Sequence, residues 1–264
     1  MKWSVFPLSL CLIFLSCSEG SPDRSSSASA PKSDHQEQKA PVHQQALIVI
    51  TEGWEDLQAT LYAVEWNGGS WQTKSSHAVV VGSNGLGWGL GVKDFTEKSG
   101  PVKHEGDKKS PAGVFTLGKA FGVFSPENLP KLGLPYELVE WETLCIEDTS
   151  SHYYNSIVRE DLPGKDWEQN DRMTRKDDLY SLGAFVNHNT NPAKPGSGSC
   201  IFLHLWRDQD HGTLGCTAMP KSMLLAHLQW LDLTKNPVLV QVPRGEYASL
   251  ATEFGLPTRL SATD

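Results

Sequence analysis

The sequence predicts a mainly β fold, a β-rich α+β domain with few short helices, and three observations carry that expectation. Short runs rich in β-branched residues recur along the chain. Turn-forming residues are abundant, with 23 Gly and 16 Pro in 264 residues, and many of them fall between those runs. Sustained helical spacing is clear in one stretch only. Many short strands with one or two helices describe a core built from sheet.

Ala46 to Thr51 reads as a buried strand, and Thr60 to Trp66 as a second that turns at Asn67-Gly68-Gly69. Ser76 to Gly82, with Ala78-Val79-Val80-Val81, is a third. It runs into Gly82 to Gly91, where repeated glycines predict a long surface loop. That loop lacks a Gly-Lys-Ser/Thr end, so a phosphate cradle is not expected. Glu97 to Lys109 mixes both charge signs and reads as a solvated loop. Ser110-Pro111-Ala112-Gly113 then turns into a strand over Val114 to Gly118. Tyr136 to Glu147, Ser181 to Asn187 and Ser199 to Leu205 are further strand candidates. Pro220 to Leu231 is the best helix, with proline in the first turn and Leu224, Leu228 and Leu231 on one face. Asn236-Pro237 ends that region, and Val238 to Val242 is a closing strand.

The ends and the composition bound the function. A formal net charge of -8 argues against nucleic acid, which needs clustered Lys and Arg. Residues 1–17 read as a signal peptide: Met1-Lys2, then a mostly apolar run from Val5 to Leu15, too short to span a bilayer comfortably. Leu15-Ser16-Cys17 resembles the lipobox of bacterial lipoproteins, although Phe14 and Leu15 stand where Leu and a small residue are usual. Export to the periplasm or cell envelope follows, either with a membrane anchor through a lipid on Cys17 or after ordinary cleavage of a secretory peptide. Residues 18–45, rich in Ser, Pro, Ala, Gln and Lys, read as a flexible linker. No second domain boundary follows residue 46.

The most informative residues are Cys216, in Gly215-Cys216, and His204, at the end of the apolar run Ile201-Phe202-Leu203. An imidazole near a thiol removes its proton, and a preceding glycine lets backbone approach a substrate carbonyl closely. The bland alternative is a structural cysteine beside a core histidine. Cys145, Cys200 and Cys216 are the cysteines of the folded part, and an odd number in an oxidising compartment suggests one disulfide and one free thiol. If Cys216 is the nucleophile, elimination leaves Cys145–Cys200 as the pair.

Three ordered segments resemble the L,D-transpeptidase catalytic domain (the YkuD-type family), in its exported branch. They are Lys103-His104-Glu105-Gly106-Asp107 with Ser110-Pro111-Ala112-Gly113-Val114-Phe115-Thr116-Leu117-Gly118; Val186-Asn187-His188-Asn189 with Gly198-Ser199-Cys200-Ile201-Phe202-Leu203-His204; and Thr213-Leu214-Gly215-Cys216-Thr217-Ala218-Met219. The resemblance covers roughly residues 46–245 and assigns 46–264 to a catalytic domain with a β-sandwich fold. It implies Cys216 as nucleophile, His204 as general base, and a backbone carbonyl at Leu205 or Trp206 orienting the imidazole. The reaction it implies is acyl transfer on peptidoglycan stem peptides through a cysteinyl thioester, without cofactor or metal. Gly215, Arg207, His211 and His188 are candidates for substrate or oxyanion contacts, Arg207 as a bidentate partner for a substrate carboxylate. Two departures stand out: Leu214 occupies the place of a second histidine found in many members, and the histidine-to-cysteine spacing is short.

Other functions remain in view at this point. The same site suits an L,D-carboxypeptidase or related hydrolase, in which water resolves the thioester. His188, Cys200, His204, His211 and Cys216 supply enough N and S ligands for zinc, but their spacing follows no familiar ligand pattern. A non-catalytic wall-binding lipoprotein is the third class.

Overall fold

The computed structural model describes residues 40–261; residues 1–39 and 262–264, and with them Cys17 and the signal segment, lie outside the described residues. Among the described residues, thirteen strands and two α-helices run in the order β1 (Gln45–Thr51), β2 (Gln58–Trp66), β3 (Trp71–Val80), β4 (Leu86–Trp88), β5 (Ser110–Gly122), β6 (Tyr136–Leu138), β7 (Thr143–Ile146), β8 (Ile157–Arg159), β9 (Asn170–Arg172), β10 (Leu182–Val186), β11 (Phe202–Leu205), β12 (Thr217–Met219), α1 (Lys221–Trp230), β13 (Val238–Pro243) and α2 (Arg244–Phe254). The mainly β expectation holds.

The strands of the large sheet follow the order β10-β11-β12-β3-β2-β1-β13-β5, and β5 pairs back onto β10. The layers of the expected sandwich are thus joined into a closed circuit, which leaves few edges to protect. β1 lies between β2 and β13 and is buried at every residue. That is why its sequence is a continuous apolar run rather than an alternating one. β12 is the weak link of the circuit: it pairs in parallel with β11 over three residues but meets β3 at a single pair, Ala218 with Val80. α1 packs on β10 and β11 through Leu224 and Leu228, both fully buried and each contributing about 1.5–3 kcal/mol of apolar burial. α2 covers β1 and β13 through Tyr247, Leu250 and Ala251.

Several expectations are corrected. The glycine run Gly82–Gly91 is not a surface loop, since it holds β4, with Leu86 and Trp88 fully buried and paired to β5. Its glycines allow close backbone packing: a Cβ on Gly85 would lie 2.0 Å from the Trp54 carbonyl oxygen. Tyr136–Glu147 is not one strand. A turn in which the Thr143 N–H donates to the Glu140 carbonyl sends β6 to the large sheet and β7 to a separate one, of order β8-β7-β9. The charged run is not all solvated, because Lys103 is buried and pairs with Asp107 at 2.6 Å.

Candidate active site

Cys216 and His204 reach one cleft because of strand register. β11 and β12 run parallel with His204 opposite Ala218 and Leu203 opposite Thr217. One residue earlier, Cys216 stands opposite Phe202, two residues from His204 and therefore on the same face. Both side chains line a cleft of about 610 Å³, with Tyr180, Asp171, Glu147 and Lys103 also on its walls.

The imidazole is fixed by its own strand. His204 Nδ1 lies 2.7 Å from the Leu205 carbonyl oxygen. A carbonyl only accepts, so Nδ1 carries the proton and Nε2 holds the basic lone pair. The ring of Tyr180 meets the imidazole edge-on at 5.0 Å between centroids. Burial pushes the His204 imidazole down to about 4, so it is neutral near pH 7.

The thiol is equally protected. Cys216 is 6% exposed; its sulfur accepts from the Phe202 N–H at 3.3 Å and its S–H donates to the Cys200 carbonyl at 3.5 Å. Burial pushes the thiol up to about 12, and the acids Asp171 and Glu147 push the same way, while hydrogen bonds from Phe202 and Tyr180 oppose them. The resting pair is therefore a neutral thiol and a neutral imidazole, not an ion pair.

The turn before the cysteine is built around glycine and two hydroxyls. Gly215 has φ +148, and its N–H donates to Thr213 Oγ1 at 3.0 Å. The Cys216 carbonyl accepts from Thr213 Oγ1 at 2.6 Å and from Ser110 Oγ at 2.8 Å. The Cys216 N–H has no partner among the described residues.

Cys145 of β7 and Cys200 are joined by a disulfide, and Cys216 is the free cysteine among the described residues. That bond ties the small sheet to the segment entering β11. It also removes Cys200 from any zinc ligand set, and no group of three or more His, Cys, Asp or Glu among the described residues is arranged to hold a metal.

The other candidates separate. Arg207 and His211 line the cleft mouth, exposed, beside Asp177 at 3.6 Å and Asp208 at 2.7 Å respectively. Leu214, 78% exposed, stands on the rim. His188 does not face the cleft. It is buried, its Nε2 donates to the Ser197 carbonyl at 2.9 Å and its Nδ1 accepts from the Leu90 N–H at 3.3 Å. With both nitrogens committed to backbone it braces two loops, and burial pushes it down to about 4. Sequence reading missed Tyr180, Asp171 and Glu147. Asp171 lies on the short polar strand β9, where no periodicity marks it, and Glu147 directly follows the buried strand β7.

A buried free cysteine and a carbonyl-oriented histidine thus share one cleft of the large sheet. The L,D-transpeptidase catalytic domain (YkuD) matches residues 56–240, well over half of the chain, and the chain belongs to that family. No curated protein matches it. Among solved structures, one of Bdellovibrio bacteriovorus Bd1075 is 13% identical with a TM-score of 0.34, covering 76% of this chain and 52% of that one. The helical cell shape determining protein Pgp2 (K307A mutant) of Campylobacter jejuni is 12% identical with a TM-score of 0.36, covering 76% and 47%. The chain spans about half the length of each.

Proposed function

We propose that the protein is a peptidoglycan L,D-transpeptidase that acts through a Cys216 thioester. The observation that carries this reading is the His204 imidazole, held by Leu205 with Nε2 left basic, on the same sheet face as a free cysteine in a family whose members act on stem peptides.

In this reading the S–H rotates away from the Cys200 carbonyl and gives its proton to His204 Nε2 as sulfur attacks the carbonyl carbon of an amide between an L- and a D-centre. The oxyanion takes a hydrogen bond from the Cys216 N–H, the donor left free; Gly215 N–H is occupied by Thr213. The imidazolium returns the proton to the departing amine as the C–N bond breaks. An acceptor amine then attacks the thioester, losing its proton to Nε2, and the thiol is re-formed. Neutral partners suit such general-base attack, since a preformed thiolate is not needed. In this reading Arg207, at the mouth beside Asp177, meets a substrate carboxylate. Lipidation at Cys17 would hold the domain in the envelope through the 18–45 linker.

The test is incubation with purified disaccharide-tetrapeptide, following intact protein mass and products. A mass increase on Cys216 with cross-linked dimers is expected. Trimmed monomers alone would favour the hydrolase, and no adduct at Cys216 would overturn the thioester. Cys17→Ser is expected to release the protein from membranes with its purified activity unchanged.

A further inference from the structure

The cleft holds one buried group that the acyl-transfer steps leave unused. Tyr180, 8% exposed, sits just before β10 and packs its ring edge-on to Phe121, Phe202 and His204. Its hydroxyl donates to Asp171 Oδ2 at 2.9 Å. The same ring and the Cys216 sulfur line one cleft and share one buried cluster, and the hydroxyl favours a charged sulfur, opposing the effect of burial on the thiol. One O–H proton thus has two acceptors, a carboxylate and a sulfur.

We propose that Tyr180 is a catalytic residue whose O–H, held by Asp171 at rest, donates to the Cys216 sulfur once that sulfur carries charge, while its ring holds the His204 imidazole in plane. The proposal rests on Cys216 being the reacting atom. No bond to the tyrosine proton breaks; only its hydrogen-bond partner changes.

The surroundings explain why such a donor is needed. A charged sulfur here would face Asp171 of β9 and Glu147 just after β7, both negative when ionised. His204 of β11 is neutral, and the Phe202 N–H is a single donor. The cations stand further along the walls. Arg175 lies over the Tyr180 ring at 4.9 Å and 3.6 Å from Asp171, and Lys103 is engaged with Asp107. Glu105 accepts from Tyr154 and Ser199. A second neutral donor beside the sulfur therefore stabilises charge that the nearby acids oppose. Asp171 competes for that donor, so the two residues act on the sulfur in opposite directions.

The opposition gives the test. The rate at which iodoacetamide alkylates Cys216 is measured against pH in the full chain and in Tyr180→Phe and Asp171→Asn. Tyr180→Phe keeps the ring and removes the donor. Its profile is expected to move up by about one pH unit, which is about tenfold slower alkylation at a fixed pH on the rising limb. Asp171→Asn removes a charge and releases the hydroxyl, and its profile is expected to move down. In the double variant the downward shift should shrink, because the hydroxyl it works through is gone. An unchanged profile in Tyr180→Phe, with only a lower melting temperature, would reduce Tyr180 to packing and overturn the proposal. Shifts of both single variants in the same direction would do so too. Alkylation needs no peptide, so opposite shifts in a protein that forms no acyl-enzyme would sink the transfer reading and leave this pair standing.

Discussion

The closed sheet and the small three-stranded sheet build opposite walls of one cleft by different means. The closed sheet holds His204 on β11 and Cys216 directly before β12, both strands buried throughout, and its stability comes from a continuous apolar core. The small sheet has Leu144, Ile146 and Trp167 as a core of its own and shares a second cluster with the closed sheet through Cys145, and around it run exposed or half-exposed ion pairs such as Arg159–Glu140 and Arg172–Glu160. Such pairs contribute little each. A disulfide supplies what its core does not. Cys216 and His204 sit on the rigid wall, and Asp171 and Glu147 sit on the one that a covalent tie holds in place.

The largest effect expected is on the rigid wall. Cys216→Ala should leave no acyl-enzyme and reduce peptide turnover to background, with an unchanged circular dichroism spectrum. Near-normal turnover would move the chemistry off this wall altogether. His204→Gln should slow acylation by roughly 10²–10⁴-fold, the usual loss for a general base, in stopped-flow mass measurements.

On the other wall, replacing Cys145 and Cys200 together by serine opens a loop of 55 residues in separation and should cost about 4 kcal/mol in urea unfolding. Hydrogen exchange should rise first in β7 to β9 while β1 and β13 stay protected. Uniform loss across both sheets would erase the contrast drawn here.

The last effect concerns acid. His188, ordinarily near 6.5, titrates at about 4 in the fold because it is buried, and His204 does the same. Below about pH 6.5 the unfolded chain binds more protons than the folded one, so stability falls with falling pH and the loss is complete near pH 4. Urea midpoints should be level above pH 6.5 and decline below it. A level profile down to pH 4 would show that these rings are solvated.

What the sequence made legible follows the same division. The strands of the closed sheet announce themselves through β-branched runs, and the first and last of them were bounded to within a residue or two. β4 was hidden because its glycines signal a loop, although they serve here to let Trp54 and the Lys103 backbone come close. α2 went unread despite its signs: Glu246 in the first turn, Tyr247, Leu250 and Ala251 on one face, and Gly255 in the left-handed cap. The cysteine and histidine were visible because their flanking residues are distinctive. Asp171 and Tyr180 were not, since their proximity depends on a disulfide and a strand pairing that no local pattern encodes.

The arch from Thr213 to Cys216 has a consequence for how this protein can change. Thr213 is pinned at both backbone groups, to Val81 and Ser83, and its hydroxyl closes the turn onto Gly215 and Cys216. None of those bonds uses the side chain at 214, which points out into water at the mouth of the cleft. The fold is thus indifferent to what that position carries. It works as a socket, where a leucine can be exchanged for a polar or basic group and the selectivity of the entrance retuned, while the buried sulfur keeps its place.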